Sequence, residues 1–255
     1  MPMSVNIIKV GGAVVEDAHL RAELLKSFAS MSGDRILVHG GGRTATTVAT
    51  KLGIETKMAD GRRITDASML EVVTMVYGGL VNKKIVAELQ ILGVNAIGLT
   101  GADMRCIHAH KRPVRDIDYG FVGDVDSVDV AVMDALISAG AVPVVAPLSF
   151  DPEYGLLNTN ADTIANAVAV AFGSRATLTF CFEKKGVLSN PDDEDSVIPE
   201  ITPEIYTELK NSGVVSGGMI PKLDNAFSAL SSGVSEVIIT NAAELGKGTG
   251  TIIRL

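Results

Sequence analysis

Two glycine-rich segments near the start of the chain have the composition of anion-binding turns. They span residues 9–12 (KVGG) and 39–42 (HGGG), and each follows an apolar run with strand character. Glycine lets backbone N–H groups approach an anion closely, and a helix N-terminus adds partial positive charge. The two turns together could hold one phosphoryl group. A tight turn with positive φ would also require glycine, so each segment alone leaves both interpretations open.

Three later segments carry the polar side chains that could complete such a site. Arg63 lies in a polar segment and offers a two-pronged donor to a carboxylate. Residues 158–162 (NTNAD) precede a helical pattern, and their alternating polar side chains exceed what helix capping requires. Lys222 follows a glycine-rich turn and could act as a second cation. Taken alone, however, Arg63 better fits an exposed basic loop, and Lys222 better fits a solvated lysine near a helix start.

Several familiar catalytic signatures are missing from the sequence. It contains no G-x-x-x-x-G-K-[ST], H-R-D, D-F-G or G-x-G-x-x-G motif, and no serine–histidine–aspartate signature. His108 and His110 are spaced so that they could bind a metal, but no third ligand lies nearby, and a solvated loop is the preferred interpretation. The glycine-rich residues 246–251 are open to two interpretations, a ligand contact or a mobile surface loop.

The composition is that of a folded protein that handles small molecules. The chain has 255 residues, 47% of them apolar, which is enough to bury a substantial core. Its net charge of −8 argues against a nucleic-acid partner, because a phosphate backbone requires a basic surface. Neither a signal peptide nor a membrane span is predicted. The two cysteines, Cys106 and Cys181, are predicted to be buried and reduced, which favours a cytoplasmic location.

Strand-like apolar runs alternate with helical patterns, and this alternation predicts an α/β fold with an open, mainly parallel sheet sandwiched by helices (αβα). Two polar, turn-rich segments are predicted to form hairpins at a sheet edge or over a site, at 57–66 and 109–124. Strands are predicted at 5–10, 35–39, 95–99, 142–146, 176–182, 236–240 and 251–255. Helices are predicted at 20–30, 44–52, 67–92, 125–139 and 161–172.

Taken together, the motifs resemble those of the amino acid kinase family, most narrowly its N-acetylglutamate kinase branch. The shared pattern is I-I-K-x-G-G, H-G-G-G, G-x-R-x-T, N-x-N-A-D and G-G-M-I-x-K, and it runs in this order from Ile7 to Lys222. The resemblance implies transfer of the ATP γ-phosphoryl to the side-chain carboxylate of N-acetyl-L-glutamate, the second step of arginine biosynthesis. It also implies ATP and Mg²⁺ as cofactors.

The resemblance assigns roles residue by residue. Lys9 and Lys222 are implied to stabilise charge on the transferring phosphoryl, and Asp162 to orient them. Glu183 stands where the family usually has aspartate. No residue is implied as a protein ligand of the metal. The other implied contacts are with the acylamino acid at Gly40, Gly41, Arg63 and Asn158, and with the nucleotide at Gly11, Gly12, Glu183, Gly186, Ser216 and Gly248.

Alternatives remain open for the acceptor and for the class of protein. The acyl group cannot be deduced from the sequence, so N-succinyl-L-glutamate is a second possible acceptor. A sister carboxylate or carbamate kinase and a non-catalytic nucleotide-binding protein are further alternatives.

The resemblance also suggests how the chain is organised and assembled. It implies an N-terminal lobe, residues 1–173, for the acylamino acid and dimerisation, and a C-terminal lobe, residues 174–255, for ATP. The long apolar stretch at 67–92 predicts a homodimer. Arginine-inhibited members of the family resemble this chain but carry an extra N-terminal helix before the lysine strand. Because Lys9 lies so near the start of this sequence, neither that helix nor arginine feedback is expected.

Overall fold

A computed structural model describes residues 4–255 and is built around one eight-stranded sheet. The strand order is β12-β14-β13-β11-β1-β2-β8-β5, and the six consecutive strands from β13 to β5 are parallel. The predicted α/β class, with a mainly parallel sheet between helices, is therefore confirmed. The strands are β1 (Val5–Val10), β2 (Asp34–His39), β3 (Met58–Ala59), β4 (Arg62–Arg63), β5 (Ala96–Leu99), β6 (Ile107–Lys111), β7 (Gly123–Val128), β8 (Val142–Val145), β9 (Leu148–Asp151), β10 (Gly155–Asn158), β11 (Ala176–Phe182), β12 (Glu200–Ile201), β13 (Glu236–Asn241) and β14 (Thr251–Ile253).

Helices cover both faces of this sheet and divide the core in two. Residues on β1 alternate between the faces, so that Ile7 packs with one cluster and Ile8 with the other. Helices α6, α7 and α9 lie on the Ile7 face, whereas α1 to α5 lie on the Ile8 face. The helices are α1 (Gly12–Glu16), α2 (Ala18–Ser30), α3 (Gly42–Lys51), α4 (Ala67–Val73), α5 (Asn82–Ile91), α6 (Val130–Ser138), α7 (Ala161–Phe172), α8 (Pro203–Asn211) and α9 (Met219–Ser231).

A second, four-stranded sheet in the order β10-β9-β6-β7 was not predicted. The segment at 109–124 does form a hairpin, because β6 pairs with β7 antiparallel. The predicted helix at 125–139 was wrong over its first residues, which continue strand β7 to Val128 before α6 begins at Val130. His108 and His110 lie on β6 and not in a loop.

The predicted long helix at 67–92 is continuous but changes its winding in the middle. A π-helical segment, Thr74–Val81, joins α4 to α5 and includes the two glycines at which a break was suspected. Such segments displace the side chains that follow them relative to α-helical spacing. Here the residue that follows, Asn82, is directed into the core and is 1% exposed.

Both cysteines are buried, as predicted, and burial raises the pKa of each thiol to about 12. Within residues 4–255, no helix is long and apolar enough to cross a membrane.

Candidate active site

Lys9 and Asp162 form an ion pair at the carboxyl edge of the main sheet. Lys9 lies near the end of β1, on the face that packs against α7, and Asp162 lies in the first turn of that helix. The Nζ atom of Lys9 is 2.7 Å from Asp162 Oδ1, and the lysine side chain is only 7% exposed. The pair therefore places a cation and a carboxylate at the edge where α/β sheets bind ligands.

Lys222, in the first turn of α9, is the second cation of this site. Its Nζ atom lies 3.6 Å from the centre of the Phe182 ring, and Lys9 Nζ lies 5.0 Å from the same centre. Burial lowers the pKa of Lys222, and the charge of Lys9 lowers it further, while Asp162 and Glu183 act in the opposite direction. The structure thus brings both predicted lysines to one place.

The two glycine turns touch each other next to this cation pair. A Cβ atom on Gly40 would lie 3.1 Å from the backbone nitrogen of Gly12 and 3.3 Å from its Cα. A Cβ atom on Gly41 would lie 3.3 Å from the ring of Tyr77. Glycine is therefore required at Gly40 for close approach of two backbone segments, and not only for turn geometry.

Two cavities meet at this point. The first, called here the triglycine cavity, has a volume of about 230 Å³, and the second, the lysine cavity, about 210 Å³. Both are lined by Lys9 and Gly12. The triglycine cavity is also lined by Gly40–Gly42, Met58, Gly61, Arg62, Arg63, Tyr77, Arg112, Val122, Pro147 and Asn158–Asp162. The lysine cavity is also lined by Gly11, Ala13, Val14, Phe182, Glu183 and Lys222.

Arg63 is held rigidly in the wall of the triglycine cavity. Its Nη2 atom donates to the carbonyl oxygen of Gly42 at 2.8 Å and to Thr46 Oγ1 at 2.9 Å. Nη1 lies 3.3 Å from Thr56 Oγ1, and the residue is 9% exposed. The exposed-loop interpretation of Arg63 is therefore wrong, because the guanidinium is anchored inside a cavity.

Asn158 faces the same cavity from the end of β10. Its Nδ2 atom donates to Thr65 Oγ1 at 2.9 Å, and no described donor reaches its Oδ1 atom. The residue is 9% exposed. Asn160 and not Asp162 caps α7, since its side chain accepts from the backbone nitrogens of Asp162 and Thr163. Asn158 therefore faces the cavity, Asn160 caps α7 and Asp162 pairs with Lys9, so the three alternating polar residues have different roles.

His39 links the triglycine turn to the core. Its Nδ1 atom lies 2.8 Å from the carbonyl oxygen of Gly40, so Nδ1 carries a proton and donates it. Its Nε2 atom then accepts from Asn82 Nδ2 at 3.1 Å, and the same amide group donates to the carbonyl oxygen of Val144 at 2.9 Å. The histidine is fully buried, and this desolvation lowers its pKa from 6.5 to about 4.

This lowered pKa makes stability depend on pH. Between pH 6.5 and pH 4 the unfolded chain binds a proton at His39 that the folded chain does not, so stability falls as pH falls through this window. The free energy of unfolding is about 2 kcal/mol lower at pH 5 than at pH 7 for this reason. Urea unfolding of the wild type and of His39→Gln at pH 7 and pH 5 measures this difference. The wild type should lose about 2 kcal/mol more than the variant, and equal losses would contradict the assignment.

The predicted nucleotide residues divide into two groups. Gly11, Gly12 and Glu183 line the lysine cavity. Gly186, Ser216 and Gly248 line neither of the two cavities described above. A Cβ atom on Gly186 would lie 2.7 Å from Thr251 Oγ1, which explains this glycine by packing. Nucleotide contact by these last three residues stays a prediction.

Three side chains of the site were not predicted from sequence: Tyr77, Arg112 and Phe182. Phe182 ends a buried parallel strand and directly precedes Glu183. Its position at the carboxyl end of a strand, where such sheets bind ligands, could have identified it as a site residue. Arg112 lines the triglycine cavity. Its guanidinium donates hydrogen bonds to the Asp124 carboxylate, and these bonds are the chief cause of the lowered pKa of Asp124. Tyr77 lies in an apolar helical stretch, and nothing in the sequence distinguishes it from a core residue.

Comparisons with known proteins identify the family of the chain. The model of the amino acid kinase family matches residues 4–241. The chain is 58% identical over 256 residues to an acetylglutamate kinase from Phocaeicola vulgatus, with 100% of each chain covered. It is 41% identical to an acetylglutamate kinase from Methanopyrus kandleri, with 98% of this chain and 100% of the relative covered.

Solved structures carry the same fold. The carbamate kinase from Giardia lamblia bound to AMP-PNP is 13% identical and superposes with a TM-score of 0.69, covering 98% of both chains. An N-acetylglutamate synthase from Neisseria gonorrhoeae has a TM-score of 0.82 at 20% identity, and this chain spans 59% of it. The family match covers residues 4–241, nearly the whole chain, so the chain belongs to the amino acid kinase family.

Proposed function

We propose that the protein transfers the γ-phosphoryl group of ATP to the γ-carboxylate of N-acetyl-L-glutamate, as its relatives' names suggest. The observation that carries the proposal is the meeting of two cavities at Lys9 and Gly12. One cavity offers an anchored arginine and an amide, which suit an acylamino acid. The other offers a second lysine and glycine backbone, which suit phosphates.

The acceptor would lie in the triglycine cavity. The Arg63 guanidinium is suited to the α-carboxylate, because its position is fixed by three polar contacts. The free Asn158 Oδ1 atom can accept the N–H of an acylated amine, whereas a free ammonium group would bring a charge that this neutral amide does not balance. This pairing favours an N-acylated substrate.

The chemistry requires charge stabilisation and not a general base. A γ-carboxylate has a pKa of about 4.3 and is already ionised at neutral pH. The obstacle is repulsion between two anions and the charge that develops on the phosphoryl oxygens. Lys9, Lys222 and the backbone N–H groups of the two touching turns can offset both. Asp162, paired with Lys9 at 2.7 Å, would hold that lysine in position.

Mg²⁺ fits the donors that are present. The described residues contain no group of three or more histidine, cysteine or acidic side chains that could enclose a metal ion. Asp162 lines the triglycine cavity and Glu183 lines the lysine cavity, and the charges of both act on Lys222. Mg²⁺ usually binds through substrate phosphates with one or two carboxylates, and so these two would orient an ion carried by ATP. When bound, the ion neutralises phosphate charge.

N-succinyl-L-glutamate is the second candidate acceptor, favoured by a specific feature of the cavity wall. Arg62 lines the triglycine cavity but has no ion-pair partner within 4.0 Å among the described residues. A free guanidinium there could pair with the distal carboxylate of a succinyl group. Arg112 is less suited to that task, because it is already paired with Asp124.

The function is tested by ATP turnover with Mg²⁺ and hydroxylamine trapping of the acyl phosphate. The acceptors are N-acetyl-L-glutamate, N-succinyl-L-glutamate, free glutamate, aspartate and carbamate. Turnover with N-acetyl-L-glutamate alone supports the proposal, and turnover with the succinyl compound alone selects the second candidate. Turnover with carbamate alone would point to a sister kinase, and no product from any acceptor would point to a nucleotide-binding protein without catalysis.

The role proposed for Arg63 predicts a binding defect. We expect Arg63→Ala to raise the KM for the acylamino acid about 10- to 100-fold, because it removes a charged hydrogen-bond donor from a carboxylate. Steady-state kinetics at saturating ATP measures this change, with kcat affected much less. Arg43→Ala is the matched control, since Arg43 is exposed on α3 outside both cavities. An unchanged KM in Arg63→Ala would refute the role.

A homodimer is proposed from an uncovered apolar surface. Exposed apolar side chains follow the π-helical segment, α5 and the edge strand β5, with Leu80 55% and Ile91 84% exposed. A second copy of the chain could cover them. Light scattering should then give twice the 26.6 kDa chain mass.

The two parts of the chain would divide the substrates between them. Residues 1–173 would bind the acylamino acid and dimerise, and residues 174–255 would bind ATP. The enzyme would act in the cytoplasm in arginine biosynthesis.

A further inference from the structure

We propose that Phe182 is a positioning residue of the phosphoryl-transfer site, whose ring holds Lys222, and more weakly Lys9, in the position from which they engage the phosphoryl group. The inference rests on the proposed function and adds a residue to it. Its basis is the cation–π geometry, with the two Nζ atoms 3.6 Å and 5.0 Å from the ring centre.

The aromatic ring replaces the counter-ion that Lys222 lacks. Within residues 4–255, no carboxylate lies within 4.0 Å of Lys222 Nζ, whereas Lys9 has Asp162 at 2.7 Å. Two neighbouring cations repel each other, and the charge of Lys9 indeed lowers the pKa of Lys222. A ring face at 3.6 Å offsets part of this repulsion and fixes the direction of the ammonium group.

The ring is itself fixed on rigid structure. Phe182 is the last residue of β11, and its side chain lies on the same face of the sheet as Phe180. The two rings are parallel within 2°, with centroids 6.1 Å apart. A Cβ atom on Gly11 would lie 3.4 Å from Phe182 Cδ1, so the first glycine turn packs against the ring. One side chain therefore contacts or adjoins both lysines and a phosphate-binding turn.

A ring suits this task better than a carboxylate would. A carboxylate would accept hydrogen bonds from the ammonium group, and these would have to break when a phosphoryl group arrives. A ring face attracts the cation without a hydrogen-bond acceptor atom of its own, and leaves the N–H donors of Lys222 for phosphate oxygens. Lys222 can thus be held in position and remain available.

The experiment compares Phe182→Leu and Phe182→Met, which remove the ring but keep an apolar side chain, with Phe182→Tyr, which keeps the ring. We expect Phe182→Leu and Phe182→Met to lower kcat about 3- to 30-fold with little change in the KM of the acceptor. Phe182→Tyr should retain most of the wild-type kcat. Phe227→Leu is the control, because Phe227 stacks on Tyr206 at 5.4 Å and lines neither cavity.

A second readout does not depend on activity. In NMR spectra of protein labelled at the lysine ε-carbon, the Lys222 ε-methylene resonance, assigned with Lys222→Arg, should be shifted upfield by the ring. The shift should disappear in Phe182→Leu and Phe182→Met and remain in Phe182→Tyr. An unshifted resonance in the wild type, or full kcat in both ring-deleted variants, would overturn the inference. A wild type that phosphorylates no acceptor would defeat the proposed function, while the NMR result still decides whether Phe182 holds the lysine.

Discussion

Lys222→Ala is expected to lower kcat by about 10²- to 10³-fold in a chain that still folds. The expected size is that of losing one preorganised group that stabilises charge in a transition state. Lys222 is suited to this test because its side chain is half-buried at a cavity wall and makes no ion pair within 4.0 Å among residues 4–255. Its removal therefore leaves no carboxylate without its partner, and the kinetic loss can be separated from a folding defect.

The measurement is kcat and KM for ATP and acceptor, with thermal unfolding of each variant. Lys210→Ala is the matched control, since Lys210 also lies over an aromatic ring, that of Tyr206 at 5.8 Å, but lines neither cavity. The control should keep its turnover. Near-normal kcat in Lys222→Ala would remove this lysine from the mechanism and leave the charge stabilisation to Lys9 and the backbone donors.

Lys9 is a less clean test of the same chemistry. It is 6% exposed and paired with Asp162, so its removal leaves a partly buried carboxylate unpaired. Breaking such a pair typically destabilises a protein by about 3–5 kcal/mol. Loss of activity in Lys9→Ala would therefore combine a chemical and a structural effect, which Lys222→Ala separates.

The parts of the fold that could be predicted are those that depend on local sequence patterns. The apolar runs of β1, β8 and β13 identify strands buried on both faces, and their alternation with helices dictates parallel pairing. Glycine at strand ends marked the turns of the site. The error at residues 125–128 arose because Val125 and Val128 are spaced like residues on one helix face. Asp129, whose side chain caps α6, marks the true boundary.

The parts that could not be predicted depend on contacts between distant segments. The hairpin of β6 and β7 was predicted, but the second sheet also requires β6 to pair with β9, and no local pattern dictates that contact. Likewise, Phe182 acts on Lys222 across 40 positions of sequence, and His39 on Asn82 across 43. Motifs thus identified the charged groups of the site, while the residues that hold them in place became visible only in three dimensions.

Gly40→Ala should lower kcat/KM by about 10²-fold or more. The new Cβ atom would lie 3.1 Å from the Gly12 nitrogen and 3.3 Å from its Cα, and neither backbone atom can rotate away. The two turns must then separate by a few tenths of an ångström, which moves donors from both sides of the phosphoryl position. Misplacement of reacting groups by about 1 Å can cost about 10² in rate, and here two sets of donors move together.

Gly42→Ala provides the comparison within the same triglycine run. A Cβ atom on Gly42 meets only Arg63 Nη2, at 4.0 Å, so alanine fits there without displacing backbone. Gly42 is the first residue of α3, where alanine is also the better helix former. The kcat/KM of the Gly42→Ala variant should therefore change by less than about fivefold. Equal impairment of both variants would mean that activity depends on the flexibility of the triglycine run. Impairment of Gly40→Ala alone would tie activity to the contact between the two turns.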